Sequence, residues 1–211
     1  LMAEENFNWL GEYLEIQTDG PDDVKLNGGK GIITSNEHKT GTDRIFEAYK
    51  KLNIKNVEYI LNLQGDEPVI NSMDIVKLNN QIINNGLEMG TLACEIIDDY
   101  KYKDENIVKV ITREQLTENK FNKVENFIRK IEKDDKKNIY QHIGIYLYKV
   151  SVLEKIVSME QTENEKNQRL EQLRALENNI DINLVLSKSP PIGIDTEEDY
   201  KKAKKLLETK I

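Results

Sequence analysis

The sequence predicts an α/β domain built around a largely parallel sheet, and three observations support this prediction. Short β-branched runs alternate with amphipathic stretches along the chain. Residues 57–63 form a near-continuous apolar run, which is expected of a strand buried on both faces. Strand, helix and strand follow one another in this part of the chain, and that order favours parallel pairing with right-handed crossovers.

The individual elements follow from hydrophobic periodicity and capping signals. Asn71 or Ser72 can cap one helix, with Asp74 in its first turn. Thr196 opens a C-terminal helix, in which Asp199 completes a capping arrangement. Further helices are predicted over residues 43–52 and 163–178, the second with Leu170, Leu173 and Leu176 on its buried side. Strands are predicted over residues 13–16, 31–34, 57–63, 91–97, 107–112, 126–131, 140–148 and 182–186.

Composition excludes several classes of partner. The 211 residues suggest one domain, and a hydrophobic fraction of 38% is enough for a packed core. With 38 acidic and 30 basic residues the formal charge is -8, so the chain is a poor non-specific ligand for nucleic acid or anionic membranes. We therefore expect neither nucleic acid nor a membrane among its partners.

The single cysteine indicates the compartment. Cys94 lies among apolar neighbours and is predicted to be a buried structural thiol. One cysteine cannot form an internal disulfide, which fits a reducing compartment. No apolar run is long enough to span a bilayer, and no charged-then-apolar leader begins the sequence. We expect a cytoplasmic protein.

Two acidic residues at predicted strand ends are candidate metal ligands. Asp66 follows a buried strand in QGDEP, where Gly65 allows close backbone approach to a ligand. Carboxylates of this kind hold Mg²⁺ beside phosphate oxygens, although a solvated acidic pair at an ordinary strand exit explains the pattern equally well. Asp195, in GIDTEED, could share the same metal, but a helix N-cap is its simpler explanation.

The segment HKTGTDR, residues 38–44, joins a strand to a helix. Gly41 with its flanking hydroxyls can offer backbone N–H groups to an anion at the helix N-terminus. A plain capped turn with Arg44 on the surface would have the same sequence.

Two later segments carry polar groups on a predicted strand and a predicted helix. In YQHIGIY, strand alternation places His142, Gly144 and Tyr146 on one face, opposite two isoleucines. That face would suit a polyhydroxylated acid, and a histidine packed against a tyrosine is the alternative. In LEQLR, Glu171 and Arg174 are three residues apart on a helix and could pair on the surface.

Six segments, in this order, resemble the 3-deoxy-manno-octulosonate (Kdo) cytidylyltransferases. They read HKTGTDRIFEA, NLQGDEPVI, NIVKVITR, YQHIGIYLYK, RLEQLRALE and PIGIDTEEDYKKA. The resemblance implies a three-layer nucleotide-diphospho-sugar transferase-like (Rossmann-like) fold, with a largely parallel sheet and a smaller mixed sheet. It also implies transfer of CMP from CTP to Kdo, giving CMP-Kdo and diphosphate for lipopolysaccharide biosynthesis, by a homodimer that uses Mg²⁺.

The same resemblance assigns roles by position. Asp66 and Asp195 would be the catalytic residues that hold Mg²⁺. The CTP-binding residues would be Thr42, Arg44 and Gln64, and the sugar-binding residues would be His142, Tyr146, Glu171 and Gln172.

The sequence departs from the family pattern in two places. Members begin with a segment close to IPARxxSxRxxGKP, and this chain joins the pattern only near residues 13–19. We therefore expect one cytidylyltransferase domain over residues 1–211 that is N-terminally incomplete and has weak or no activity as it stands. Where the family has Phe-Ser-Arg and then Ile-Pro, this chain reads ENFIRKIEKDDKKN, with Arg129 as the substitute arginine.

Two alternatives remain open on the sequence alone. One is a cytidylyltransferase for a different sugar acid, of the sialic or pseudaminic type. The other is a degenerate, non-catalytic homologue that keeps sugar binding or dimerisation.

Overall fold

A computed structural model describes residues 14–15, 30–64, 69–118, 120–131, 136–188, 190–191 and 197–208. Its contacts divide the chain into two units, Leu1–Lys55 and Asn56–Ile211. None of the helices in these ranges is long and apolar enough to cross a bilayer.

Within the described residues of the first unit lie a short parallel strand pair and one helix. β1 (Leu14–Glu15) pairs with β2 (Lys30–Gly31). The strand predicted over residues 31–34 ends at Gly31, whereas residues 13 and 16 of the other predicted strand lie outside the described residues. α1 (Gly41–Leu52) confirms the predicted helix. Thr40 is its N-cap, and the Thr40 hydroxyl accepts from the backbone N–H of Asp43 at 3.3 Å.

Six strands form a sheet in the part of the second unit that the structure describes. They are β3 (Tyr59–Asn62), β4 (Met89–Cys94), β5 (Lys109–Thr112), β6 (Phe121–Ile128), β7 (Ile139–Lys149) and β8 (Asn183–Leu186). Their order is β3-β7-β4-β8-β6-β5, and β5 also pairs with β7, which closes the sheet.

This sheet is mixed, which corrects the prediction of a largely parallel sheet for the strands that the structure describes. Among the described strands of the second unit, only β4 and β8 pair in parallel. β7 runs antiparallel to β3, β4 and β5, and β6 runs antiparallel to β5 and β8. Hydrophobic periodicity predicts that a segment is a strand but not its partner, so the insertion of β7 between β3 and β4 was not foreseen.

The helices of the second unit confirm some predictions and correct others. They are α2 (Ser72–Ile83), α3 (Val150–Val157), α4 (Glu163–Gln168), α5 (Gln172–Glu177) and α6 (Glu197–Glu208), with a 3-10 turn at Asp99–Tyr102. Asn71 caps α2 as predicted, since its side chain accepts from the N–H of Met73 at 3.0 Å. Thr196 lies outside the described residues, so its predicted capping role is untested.

The single helix predicted over residues 163–178 is wrong. Arg169 adopts a left-handed conformation with φ 54° and separates α4 from α5. Leu170 and Leu173 are buried as predicted, whereas Leu176 is only half-buried. α3 was missed, although Val152, Leu153 and Ile156 lie on a helical stripe and are buried.

The hydrophobic core lies between α2 and the sheet. Its members include Leu78 and Ile82 from α2, and Ile143, Ile145 and Leu147 from β7. Cys94 belongs to the same cluster, which confirms that its thiol is buried. β3 is only partly buried along most of its length, so the prediction of a strand buried on both faces is wrong.

Candidate active site

One face of β7 carries a row of aromatic rings. The centroids of His142 and Tyr146 lie 5.4 Å apart, and those of Tyr146 and Tyr148 lie 5.7 Å apart. Phe127 contacts the histidine edge-on at 5.1 Å. Since Ile143 and Ile145 point into the core, the predicted separation of polar and apolar faces is confirmed.

An irregularity in β7 interrupts this row. Thr91 of β4 pairs with Tyr146, and the next residue, Leu92, pairs with Ile143, so β7 carries two additional residues between these pairs. Bulges of this kind change the direction in which nearby side chains point and are frequent beside functional sites. Gly144 and Ile145 form the bulge.

The hydroxyl of Thr91 contacts the backbone on both sides of Gly144 in the bulge. It lies 2.7 Å from the carbonyl oxygen of Ile145 and 3.2 Å from that of Ile143. The Nε2 atom of His142 lies 2.9 Å from the same hydroxyl. Thr91 is fully buried, so a single side chain joins the irregular backbone to the histidine ring.

Burial determines the charge states of the two ring residues. Desolvation lowers the pKa of His142 to about 3, so its imidazole is neutral at neutral pH. Desolvation, together with the charges of Tyr148 and Glu171, raises the pKa of Tyr146 well above its usual value. The site therefore holds a neutral imidazole beside a protonated phenol, with the carboxylate of Glu171 close enough to influence that phenol.

Gln64 lies next to the bulge. A Cβ atom placed on Gly144 would lie 3.5 Å from Cδ and Oε1 of Gln64. The amide of Gln64 therefore lies over the glycine, in the space that a side chain at Gly144 would approach. The structure thus brings Gln64 to the strand that carries His142 and Tyr146.

Glu171 and Gln172 begin α5, immediately after a sharp corner at Arg169. A buried ion pair joins the two sides of this corner: Arg174 Nη2 lies 2.7 Å from Oε1 of Glu165, and Nε lies 2.9 Å from Oε2. Arg174 is 2% exposed, so the predicted surface position for it is wrong. Gln172 is also buried, at 8% exposure.

Arg129 holds the same corner from the end of β6. Its guanidinium donates to the carbonyls of Gln168 at 2.7 Å, Arg169 at 3.2 Å and Glu105 at 3.1 Å. Its own carbonyl accepts from the fully buried amine of Lys109 at 2.7 Å. Burial lowers the pKa of that amine. Arg129 thus supports the segment that leads to Glu171.

The first unit contains the other two residues assigned to CTP. Thr42 lies in the first turn of α1 and is buried. Arg44 is half-buried, and its Nη1 donates to the hydroxyl of Thr34 at 3.2 Å. His38 pairs with Glu47, whose pKa is lowered to about 2 chiefly by its hydrogen bond with Lys51. The nucleotide roles of Thr42 and Arg44 stay predictions.

Both predicted metal ligands, Asp66 and Asp195, lie outside the described residues. Within the ranges that are described, no group of three or more His, Cys, Asp or Glu side chains is arranged to hold a metal ion.

Comparison with known proteins places the chain in a family. The profile described as cytidylyltransferase matches residues 17–182. The 3-deoxy-manno-octulosonate cytidylyltransferase of Bartonella henselae is 36% identical over 185 residues, covering 87% of this chain and 75% of the relative. The enzyme of the same name from Thermodesulfovibrio yellowstonii is 39% identical over 197 residues, covering 88% and 76%.

The chain belongs to the 3-deoxy-manno-octulosonate cytidylyltransferase family. A solved structure of CMP:2-keto-3-deoxy-manno-octonic acid synthetase complexed with CTP matches 94% of this chain and 80% of its own, with a TM-score of 0.77 and 28% identity. The 4-diphosphocytidyl-2C-methyl-D-erythritol synthase of Anaerococcus prevotii matches with a TM-score of 0.57 and 15% identity, which indicates the shared fold alone. The α/β nucleotidyltransferase-like fold is therefore confirmed.

Sequence reasoning missed two residues of this family member's site region. Thr91 has no motif of its own, and its only signal is a hydroxyl within the otherwise apolar strand MGTLAC. The sequence indicates Arg129 only as a substitute for a family arginine, because its hydrogen bonds to the carbonyls of Gln168 and Arg169 depend on a corner that a continuous helix over residues 163–178 does not contain.

Proposed function

We propose that this chain transfers CMP from CTP to 3-deoxy-manno-octulosonate, giving CMP-Kdo and diphosphate for lipopolysaccharide biosynthesis. The observation that carries the proposal is the pairing of a neutral His142 with a protonated Tyr146 on β7, beside the carboxylate of Glu171. The names and coverage of the family relatives support the same reaction.

The groups on β7 suit a sugar that is rich in hydroxyls. A neutral imidazole and a carboxylate accept hydrogen bonds from hydroxyl groups, and a phenol can donate one. A site built to pair several hydroxyls discriminates strongly against analogues that lack them, because its own polar groups are then left unpaired. Gln172, buried at the start of α5, adds an amide that can both donate and accept.

Positioning is the main task in a reaction of this type. The anomeric hydroxyl of the sugar attacks the α-phosphorus of CTP in line with the departing diphosphate, so holding both substrates accounts for much of the rate. We assign Gln64 to the nucleotide, because its amide lies beside the sugar-binding face at Gly144. The family resemblance assigns Thr42 and Arg44 to CTP as well.

We also propose that Asp66 and Asp195 hold Mg²⁺. The proposal rests on the family motifs QGDEP and GIDTEED and on the preference of this ion for carboxylate oxygens. When bound, the ion would neutralise charge that develops on the α-phosphate. A cytoplasmic homodimer is proposed on the same resemblance, with the buried Cys94 supporting the compartment.

The test is release of diphosphate from CTP, Kdo and Mg²⁺ by this chain, with Asp66→Ala as the inactivated variant. Asp181→Ala is the matched control, because Asp181 is an exposed surface residue, and an ion pair as exposed as the one it forms with Lys123 contributes little to stability. We expect the release, at whatever rate this chain supports, to require Kdo, to persist in Asp181→Ala and to disappear in Asp66→Ala.

Sialic acid in place of Kdo tests the substrate class. Release that is faster with sialic acid, or release by Asp66→Ala at the rate of the unmodified chain, would contradict the proposal. Binding of Kdo is followed separately by thermal shift, since a ligand that binds the native state raises the melting temperature. Light scattering of the same sample tests the proposed dimer.

A further inference from the structure

The hydroxyl of Thr91 has more partners than it has protons. It carries one hydrogen and can accept through two lone pairs, and it lies within hydrogen-bond distance of His142 Nε2 and of the carbonyl oxygens of Ile143 and Ile145. Carbonyl oxygens accept only. A hydrogen bond between Thr91 and either carbonyl therefore needs the hydroxyl proton of Thr91 as the donor.

The shortest contact decides which partner receives the proton. Thr91 Oγ1 lies 2.7 Å from the carbonyl oxygen of Ile145, which is the usual distance of an O–H···O hydrogen bond. Two oxygens at that distance without a shared proton would repel. Thr91 therefore donates to Ile145, and the carbonyl of Ile143 at 3.2 Å receives at most a minor share.

His142 must then be the donor in the remaining contact. Since the hydroxyl proton is already used, the oxygen of Thr91 can only accept from Nε2 at 2.9 Å. Protonation at Nε2 of a neutral ring leaves the lone pair on Nδ1. Desolvation, which holds the pKa of His142 near 3, excludes a second proton on the ring at neutral pH.

We infer that Thr91 is a positioning residue that fixes His142 as the Nε2–H tautomer, so that Nδ1 accepts a hydrogen bond from a hydroxyl group of the sugar acid. The inference rests on the proposed function for the identity of the ligand. It deepens that proposal by assigning His142 to a hydroxyl of the sugar. The sugar carboxylate is excluded as the partner, because its oxygens and the Nδ1 lone pair both accept hydrogen bonds and would repel each other.

The bulge gives the same residue a second task. A regular β4–β7 ladder would satisfy the carbonyls of Ile143 and Ile145, but the two additional residues interrupt it. Thr91 compensates with its side chain and thereby fixes the backbone on both sides of Gly144. The direction of His142 and its tautomer therefore depend on one buried hydroxyl.

The experiment is ¹⁵N NMR of the imidazole nitrogens at pH 7 on the full chain. Only His38 and His142 contribute, and a His38→Gln variant assigns the signals. We expect His142 as the neutral Nε2–H tautomer, with an Nδ1 resonance that shifts when Kdo is added. An Nδ1–H tautomer, an imidazolium, or an Nδ1 resonance that does not move while thermal shift reports bound Kdo would overturn the inference.

Two variants separate positioning from packing. Thr91→Val keeps the shape and removes the hydroxyl, and Thr91→Ser keeps the hydroxyl. We expect Thr91→Val to raise the KM for Kdo about tenfold with little change in the KM for CTP, and Thr91→Ser to restore it. Equal KM values for Kdo in the Val and Ser variants would overturn the positioning role.

The wild-type NMR measurement decides the inference even where Thr91→Val does not fold. Failure of the proposed function has a different signature. In that case no Kdo binding and no diphosphate release would be found, while the tautomer of His142 in the free protein would still be the one inferred here.

Discussion

The amide of Gln64 lies against Gly144, and a Cβ atom on that glycine would approach its Cδ and Oε1 to 3.5 Å. An added methyl group would make an ordinary van der Waals contact there. A branched side chain would occupy the space that the amide now holds. The glycine therefore determines where Gln64 can lie.

We predict that Gly144→Val displaces Gln64 and raises the KM for CTP about tenfold, the equivalent of roughly 1.4 kcal/mol of binding. Gly144→Ala is the matched control and should stay within about twofold of the unmodified chain. Steady-state kinetics with varied CTP measure the effect. Equal KM values for CTP in the two variants would show that CTP binding does not depend on the position that Gly144 leaves open for the Gln64 side chain.

The lowered pKa of His142 predicts that the protein loses stability in acid. Its folded pKa of about 3 lies below the ordinary value of 6.5, so between these pH values the unfolded chain binds a proton that the native chain does not. The associated stability is fully present above pH 6.5 and is lost as the pH falls towards 3.

Urea unfolding of the unmodified chain and of His142→Gln between pH 8 and pH 4 measures this term. We expect their free energies of unfolding to run parallel above about pH 7 and then to diverge by up to about 1.4 kcal/mol per pH unit, with the unmodified chain losing more. Carboxylates that titrate in both proteins cancel in the difference. Parallel curves down to pH 4 would contradict a neutral, desolvated His142.

We predict that removing one partner of the ion pair between Glu165 and Arg174 strongly lowers the free energy of unfolding. Both side chains are at most 3% exposed, so Glu165→Gln leaves a buried guanidinium without that counter-charge. We expect a loss of about 3–5 kcal/mol in the free energy of unfolding, measured with urea.

The control is an ion pair in the same helix that is open to water. Lys166 and Glu163 pair at 3.0 Å with side chains 48% and 84% exposed. Lys166→Ala should cost at most about 1 kcal/mol, because solvent screens such pairs. A similar loss in the free energy of unfolding for both variants would mean that the buried ion pair of Glu165 matters no more for stability than an exposed one.

We predict that Arg129 affects sugar binding, although its side chain donates only to backbone carbonyls in the described structure. Arg129→Ala removes hydrogen bonds to the carbonyls of Gln168 and Arg169 at the α4–α5 corner, which leads to Glu171 and Gln172, and one to the carbonyl of Glu105. We expect the KM for Kdo to rise about tenfold while the KM for CTP changes little. Kinetics with each substrate varied in turn separate the two constants.

Arg113→Ala is the control for this change, because the Arg113 side chain is 84% exposed and pairs with Glu125 at 3.6 Å. It should leave both KM values within about twofold. A rise in the KM for CTP in Arg129→Ala, equal to that for Kdo, would point to general loss of structure and against a role at the corner.

The sequence alone determined the family, the candidate residues and most of the elements. Capping signals located α2 through Asn71, and alternation in YQHIGIY separated His142 and Tyr146 from the isoleucines of the core. These features are local, since a few neighbouring residues suffice to produce a cap or a two-sided strand. The roles of Thr42, Arg44, Asp66 and Asp195 stay predictions of the resemblance.

The tertiary structure decided what depends on distant residues. Periodicity gives no strand partners, so only the fold shows that β7 runs antiparallel to β3, β4 and β5, and that its bulge lies opposite Thr91. Likewise, the break at Arg169 accompanies contacts with Glu165, Arg174 and Arg129, which are separated along the chain. Tautomers and desolvation are set by such contacts, and no local pattern in the sequence specifies them.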